Sequence, residues 1–298
     1  MKELIYKKYL FAICYGVILT IFTTYIILNT FVIREVYTKV NNPTTDTSQI
    51  STGKVTTTSN SYQDENIEIE IKEYRENNTT IYVADIKITN PALLKTGLAN
   101  GSYGKNVTEK TSTIADGLGA ILAINGDYYG VQENGYVLKN GTIYRSTAVK
   151  NQEDLVIYED GSFEIINESD VDIDTLLKNG AYNILSFGPS LVEAGNVAVS
   201  QNDEVGKAMA SNPRTAIGII DDLHYVFVVS DGRTSTSEGL SLYELANFMQ
   251  SIDVTTAYNL DGGGSSTMYF NGKIINNPTT NGNRISERSV SDIVYIGY

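Results

Sequence analysis

Residues 67–74 read IEIEIKEY, and residues 80–88 read TIYVADIKI. The first stretch alternates apolar and charged residues strictly, the two-residue period of a strand with one buried and one wet face. The second continues as its hairpin partner, with the turn at Glu76–Thr79. Outward from this pair, strand and helix signals keep mixing. AILAIN (120–125), AIGII (216–220) and YVFVVS (225–230) are continuous apolar runs of strand length, the last two joined at Asp221–His224. Asn140-Gly141 in YVLKNGTIYRS and Asp160-Gly161 in LVIYEDGSFEI mark hairpins with two-residue turns. Helical signals cover residues 112–120, residues 170–179 with an acidic start and a stop at Gly180, and residues 240–252. In the last of these, Leu242, Leu245, Ala246, Met249 and Ile252 recur at helical spacing. Strands around TTAYNL, STMYF and DIVYIGY close the chain. The pattern predicts an α+β fold: a mixed, largely antiparallel sheet with flanking helices.

The N-terminus carries a different signal. Tyr9 to Ile33 contains no charged residue, and 25 residues span about 37 Å as a helix, enough for a hydrocarbon core of about 30 Å. The run exceeds the apolar core of a cleaved leader, and Ala12 is its only alanine, so no small-residue cleavage site follows. Lys2, Lys7 and Lys8 precede it, which favours an N-in, C-out signal anchor. The expected organisation is a cytoplasmic N-terminus (1–8), a transmembrane anchor (9–33), a flexible Thr/Ser/Asn-rich stalk (34–64) and a folded domain (65–298) outside the cell membrane.

Composition narrows the chemistry. The net charge is −13; residues 1–40 contribute five basic against two acidic groups, or +3, so the remainder carries −16. A domain that acidic repels phosphate backbones, and nucleic acid is excluded as a partner. The lone cysteine, Cys14, lies in the apolar run, and the one histidine, His224, sits in a turn beside Asp221 and Asp222. Thiolate nucleophiles and His-rich or thiolate zinc sites are therefore absent from the domain, and His224 reads as a surface residue. Carboxylates, arginines, hydroxyls and backbone amides must carry any chemistry.

Those groups gather where apolar strands end. NGDYY (125–129) places Asn125 and Asp127 after one strand. SNPRTAIG (211–218) sets Arg214 before another, and VSDGRTSTSEG (229–239) sets Asp231 and Arg233 after a third. NLDGGGSSTMYF (259–270) follows Asn259 and Asp261 with Gly262–Gly264, Ser265 and Ser266, and NRISERSVSD (283–292) adds Arg288. Each Asp-Gly or Asn-Gly pair alone is an ordinary turn. Three consecutive glycines before a strand are costlier, and suit a close backbone approach or a nest of N–H groups facing an anion. Arginine forks beside them suit phosphate or carboxylate.

The series NGDYY, GPSLV, NPRTAIGI, VVSDGR, a helix near 239–249, AYNLDGGGSSTMY and ERSVSD resembles the phosphodiester glycosidase family over roughly residues 111–298. That resemblance implies hydrolysis of a sugar-1-phosphodiester at its anomeric C–O bond. On it, Asp261 and Asp231 are the catalytic carboxylates, and Arg214, Arg233 and Arg288 clamp phosphate. Gly263, Gly264, Ser265 and Ser266 supply backbone and hydroxyl donors, and Asn125, Asp127 and Asn259 hold sugar hydroxyls. No cofactor is required, though Asp127, Asp231 or Asp261 could ligate calcium or magnesium. The expected partner is a carbohydrate or glycopolymer with sugar-phosphate linkages in the cell envelope. Two alternatives stay open: a non-catalytic glycan-binding or exopolysaccharide-assembly protein, and a metal-dependent phosphodiesterase cutting P–O.

Overall fold

The computed structural model describes residues 2–40, 53–201 and 211–298. Its largest sheet has nine strands, in the order β15 (Asn196–Val197), β14 (Ser190–Glu193), β18 (Thr256–Leu260), β16 (Arg214–Asp221), β17 (His224–Ser230), β5 (Thr79–Ile88), β4 (Ile67–Glu76), β3 (Ser61–Gln63) and β2 (Thr56–Thr57). A second sheet runs β20 (Lys273–Ile274), β19 (Met268–Phe270), β8 (Leu122–Asn125), β21 (Asp292–Ile296) and β6 (Leu94–Leu98). Smaller sheets are β12 (Phe163–Asn167), β11 (Glu153–Tyr158) and β13 (Ala181–Leu185); β9 (Val137–Lys139) with β10 (Thr142–Arg145); and β1 (Glu35–Lys39) with β7 (Ser102–Lys105). Every strand pair among the described residues is antiparallel.

The two large sheets face each other across one core, to which Ile69, Ile86, Phe227 and Leu260 contribute from one side and Leu122, Ile124, Phe270 and Val294 from the other. The outer face of the nine-stranded sheet, with Val83, Val226 and Val228, is covered by α4 (Leu242–Ser251). The outer face of the smaller sheet, with Ala123, Ile293 and Tyr295, is covered by α2 (Thr111–Leu118). The result is a helix–sheet–sheet–helix sandwich, with α3 (Ile173–Lys178) packed on the β11–β13 sheet. This layering explains the sequence pattern. Central β17 is apolar without interruption because Tyr225, Phe227 and Val229 face one core while Val226 and Val228 face the other. Strand β4 alternates because only Ile67, Ile69 and Ile71 have a layer to meet.

Element ends differ from expectation where caps decide them. α3 begins at Asp172, whose side chain accepts from Thr175 N–H, rather than at Asp170. α4 starts from a capping box of Ser241 and Glu244. The Asn140-Gly141 turn has two residues, both at positive φ, whereas the Asp160-Gly161 loop spans four residues between β11 and β12.

The segment expected as a stalk is partly sheet. Strands β1, β2 and β3 fall within 34–64, and only 41–52 lies outside the described residues. Backbone pairing satisfies their polar groups, and single aromatics, Tyr62 in the main core and Tyr37 against Tyr103, anchor them where the segment's scarcity of apolar residues suggested a coil. Before them, α1 (Lys2–Phe31) includes one span, Tyr9–Phe31, long and apolar enough to cross a membrane, with mean hydropathy 2.2 and none of it buried. Its last turn meets the domain directly: Asn106 Nδ2 donates to the carbonyls of Thr30 (3.1 Å) and Ile33 (3.0 Å).

Replacing Ser241 with Ala removes one half of the α4 capping box. Stability in chemical denaturation is expected to fall by about 1 kcal/mol, with no change in the slope against denaturant.

Candidate active site

Antiparallel pairing brings the interesting strand ends to one end of the sandwich. Arg214 at the start of β16 pairs with Ser230 at the end of β17, and Thr215 pairs with Leu260 at the end of β18. In the facing sheet, Asn125 at the end of β8 pairs with Ile293 near the start of β21. Asn125 ties the sheets together. Its amide donates to the carbonyls of Asp261 (2.6 Å) and Gly126 (3.3 Å), and its oxygen accepts from Thr215 Oγ1 (2.8 Å) and Thr267 N–H (3.2 Å). Fully buried and with its hydrogen bonds spent on the protein, Asn125 is a brace, which corrects its reading as a sugar contact.

Asp261 follows β18 and is almost wholly buried. Oδ2 accepts from Ser265 Oγ at 2.6 Å and from Arg288 Nη2 at 2.9 Å, while Arg288 Nε donates to Ser265 Oγ at 2.8 Å. Burial pushes the Asp261 carboxyl up, and the Arg288 charge, the Ser265 hydroxyl and the Gly262 N–H pull it part of the way back. Arg288 keeps 42% of its side chain exposed, so its outer edge is open to a ligand.

The glycine turn between Asp261 and Ser265 is ringed by all three predicted arginines. A Cβ on Gly262 would lie 4.0 Å from Arg214 Cδ, and one on Gly263 would lie 2.9 Å from Arg233 Nη2. Arg288 Nη2 donates to the Gly262 carbonyl at 3.1 Å. Arg233 is held by Asn212 Oδ1 (3.0 Å from Nη2) and sits at φ 60°, a costly backbone for a non-glycine residue. Burial, and then the neighbouring charge of Arg288, lower the pKa of Arg233: two like charges are held beside one turn. Arg214 is buried, and its Nε donates to the Leu240 carbonyl at 2.8 Å.

Three of the N–H groups expected to form a nest are engaged within the protein: Gly263 N–H donates to the Pro213 carbonyl (2.8 Å), and Ser265 N–H to Gly262 (3.3 Å) and Ser266 N–H to Gly263 (3.2 Å) close a 3-10 turn. The glycines instead allow close packing. A Cβ on Gly264 would sit 3.1 Å from Thr280 Cα, and Gly263 occupies φ 63°.

Asp231 lies at the same end but in a separate bonding group. Oδ1 accepts from Asn277 N–H (2.7 Å) and Oδ2 from the Asn277 amide (2.9 Å). Asn259 Nδ2 donates to the Gly188 carbonyl at 2.7 Å, holding the β13–β14 corner. Asp127 is turned inward: Oδ2 is 2.9 Å from Lys139 Nζ, which is also 2.7 Å from Asp292 Oδ2, all three side chains being buried. It therefore neither holds a sugar nor stands ready for a cation, because an ammonium occupies the place of one. Among the described residues, no group of three or more His, Cys, Asp or Glu side chains is placed to hold a metal.

Sequence reasoning missed a second buried acid group. Asp154 and Glu168 are both buried, and Glu168 accepts from Tyr136 N–H at 2.7 Å. Burial first, then the charge of Glu168, push the Asp154 carboxyl up to about 9; burial and the charge of Asp127 push Asp292 up to about 7. Lys139 stood beside a turn signal and Asp154 within an apolar strand, so neither carried a visible motif.

The chain belongs to the phosphodiester glycosidase family, whose model matches residues 118–297. Among curated relatives, the SPbeta prophage-derived uncharacterized protein YomE of Bacillus subtilis (strain 168) is 30% identical over 66% of this chain and 31% of its own length. The N-acetylglucosamine-1-phosphodiester alpha-N-acetylglucosaminidase of Mus musculus is 26% identical over 65% of this chain and 40% of its own length. The chain thus spans about a third to two-fifths of these relatives. The solved catalytic domain of the zebrafish N-acetylglucosamine-1-phosphodiester alpha-N-acetylglucosaminidase shares the fold at TM-score 0.63, with 20% identity and coverage of 89% and 88% of the two chains. A hypothetical protein from Synechocystis shares it at TM-score 0.56, with 15% identity over 82% of this chain and 64% of its own.

Asp154 and Asp292 both have folded-state pKa values above the unfolded carboxylate value of about 4. Their contribution to stability is complete below that value and is lost as pH rises through about 7 and then about 9. Thermal midpoints are expected to decline over that window. Asp154→Asn should flatten the upper part of the decline, and an unchanged slope there would count against the assignment.

Proposed function

We propose that the domain hydrolyses a sugar-1-phosphodiester, with Asp261 as the carboxylate beside the anomeric carbon and Arg233 and Arg288 on the phosphate. The observation that carries this reading is the pair of guanidinium groups held around one glycine turn next to a buried carboxylate. Two like charges kept close are relieved by an anion between them, and a phosphodiester matches their planar donors. Family membership supports the reaction class.

In this reading water adds to the anomeric carbon, the C–O bond breaks, and the bonding pair leaves with the phosphate. The products are a free sugar and a phosphate monoester. A phosphodiester is a weak base, so arginine contacts that strengthen as negative charge develops do much of what acid assistance does for ordinary glycosides. Asp261, on the sugar side, stabilises the oxocarbenium-like centre. Ser265 bridges the carboxylate and Arg288, fixing the distance between the anionic and cationic halves of the site. Asp231 is assigned a supporting role, shaping the Asp231–Arg233 segment through Asn277.

We further place the domain outside the cell membrane, anchored by the Tyr9–Phe31 span with Lys2, Lys7 and Lys8 inside. The substrate is then an envelope glycan or glycopolymer bearing sugar-phosphate linkages.

Mass spectrometry of products from a panel of soluble sugar-1-phosphodiesters tests the reading. Free sugar together with phosphate monoester is expected; sugar phosphate would instead mean P–O cleavage. Asp261→Asn is expected to lower kcat on the order of 10² or more while retaining substrate binding, and a variant that turns over normally would remove Asp261 from the mechanism.

A further inference from the structure

Beside the candidate centre, a cleft of about 180 Å³ opens between β1, β7 and the 129–133 loop. Three tyrosines line it. The Tyr103 ring stacks on Tyr129 at 5.5 Å between centroids and meets Tyr37 at 5.8 Å. Two cations, Lys105 and Arg145, share the lining with a single acid, Glu133, which lies 3.9 Å from Lys105. Arg145 is held in place by the carbonyls of Gly135 (2.6 Å) and Tyr129 (3.1 Å). The exposed Tyr37 ring over the buried Tyr103 and Tyr129, with Lys105 and the anchored Arg145 beside it, suits a ligand that combines apolar C–H surface with negative charge.

The cleft's position relative to α1 is unusual. Lys105 lines it, and the next residue, Asn106, is the one that binds the Thr30 and Ile33 carbonyls at the end of the apolar helix. Glu35, two residues after Ile33, already pairs with Lys105 in β1–β7. No free chain separates the span from this face. The 23 residues of Tyr9–Phe31 are about 35 Å long as a helix, which fills a hydrocarbon core of about 30 Å. Thr30 to Ile33 then lie at the headgroup layer, and the cleft lies within one strand pairing of it. Val32, Ile33, Val36 and Tyr37 are exposed around the junction, and Val131 continues the apolar rim. Tyrosine and lysine are the side chains that favour this depth.

The cleft also adjoins the candidate centre. Tyr129 comes three residues after Gly126, whose carbonyl accepts from Asp261 N–H, and Tyr129 Oη donates to the carbonyl of Ser291, three residues after Arg288. Three residues span at most about 11 Å, so the buried Tyr129–Ser291 contact holds the cleft within a few residues of the chain that carries Asp261 and Arg288.

Resting on the function proposed above, we infer that the substrate is carried on a membrane lipid: its sugar-1-phosphate enters the arginine site while the lipid side of the phosphodiester lies in the Tyr37–Tyr103–Tyr129 cleft at the bilayer surface. Hydrolysis then occurs at headgroup depth, on a molecule presented from the same membrane that holds α1.

The test uses the full chain in nanodiscs and the sugar that supports turnover in the soluble assay, so failure of the underlying reading shows there first. Two substrates are compared, the methyl and the palmityl ester of that sugar-1-phosphate. The double variant Tyr37→Ser/Lys105→Ala is expected to lower the palmityl-to-methyl ratio of kcat/KM on the order of ten-fold. A nitroxide attached at Val131→Cys in a Cys14→Ser background is expected to be relaxed by a lipid-soluble agent, and one at Lys87→Cys is not. An unchanged ratio, or a Val131 label untouched by the lipid phase, overturns the inference and leaves soluble hydrolysis standing. Equal acceleration of both esters by the double variant also overturns it, because β1 would then be only a cover.

Discussion

Asn125 is the point on which the site end of the molecule depends. It terminates a strand of the smaller sheet, yet its side chain reaches Thr215 in the larger sheet and the main chain of Asp261 beyond β18. Two facing sheets can slide or splay where their strands end, since the core no longer fills the space between them. A buried amide with its donors and acceptor all engaged across the gap fixes that separation, and loss of one partner would leave a desolvated polar group. Gly126 carries the same constraint forward, its carbonyl accepting from Asp261 N–H. The carboxylate central to the proposed chemistry is thus positioned from the sheet opposite its own strand.

Around that fixed carboxylate, charge is arranged against the molecule's average. Residues 41–298 carry −16, but three arginines lie against one glycine turn. Long-range attraction cannot draw an anionic substrate to such a domain, and an overall negative field slows its approach. In the proposed reaction the arginines act at contact, where bidentate geometry and partial desolvation outweigh a field that salt screens within about 8 Å. The glycines follow from the same crowding. Arg233 can lie over the turn only because position 263 has no side chain and a left-handed backbone.

Much of this was legible in the sequence, and the reasons differ from element to element. The β4–β5 hairpin and the β16–β17 pair were readable because each residue's environment is set by a two-residue period and by whether one or both faces are covered. Asp261, Arg233 and Arg288 were readable as neighbours of a glycine run, and the fold does bring them together. Asn125 and Asp127 were read from the same motif and misassigned, because sequence shows which polar residues sit at strand ends but not which way they turn. Their partners, Thr215, Lys139 and Asp292, are contributed by strands 12 to 165 positions away. The 34–64 segment misled for a different reason: its short strands are held by backbone pairing with only isolated aromatic anchors, Tyr37 on Tyr103 and the buried Tyr62, too few to leave an apolar pattern.

The buried ionic groups bear on how the site keeps its shape. Lys139 sits between Asp127 and Asp292, and Asp154 lies beside Glu168, five ionisable side chains with almost no exposure. The Lys139 pairs rarely add stability over apolar residues of equal volume, because desolvation offsets their attraction, and beside Glu168 the Asp154 carboxyl is pushed toward its neutral form. What they do impose is geometry. Asp127 accepts from Tyr129 N–H and Ser186 N–H as well as from Lys139, so one carboxylate sets the course of the 126–129 turn and of the corner that leads to Gly188 and Asn259. Asp292 presses its side chain against Gly126 while its carbonyl accepts the Gly126 N–H. An apolar replacement could fill the same volume and leave both loops free to move, and with them the main chain that holds Asp261. The domain accepts the cost of burying charge at the place where its loops most need a single conformation.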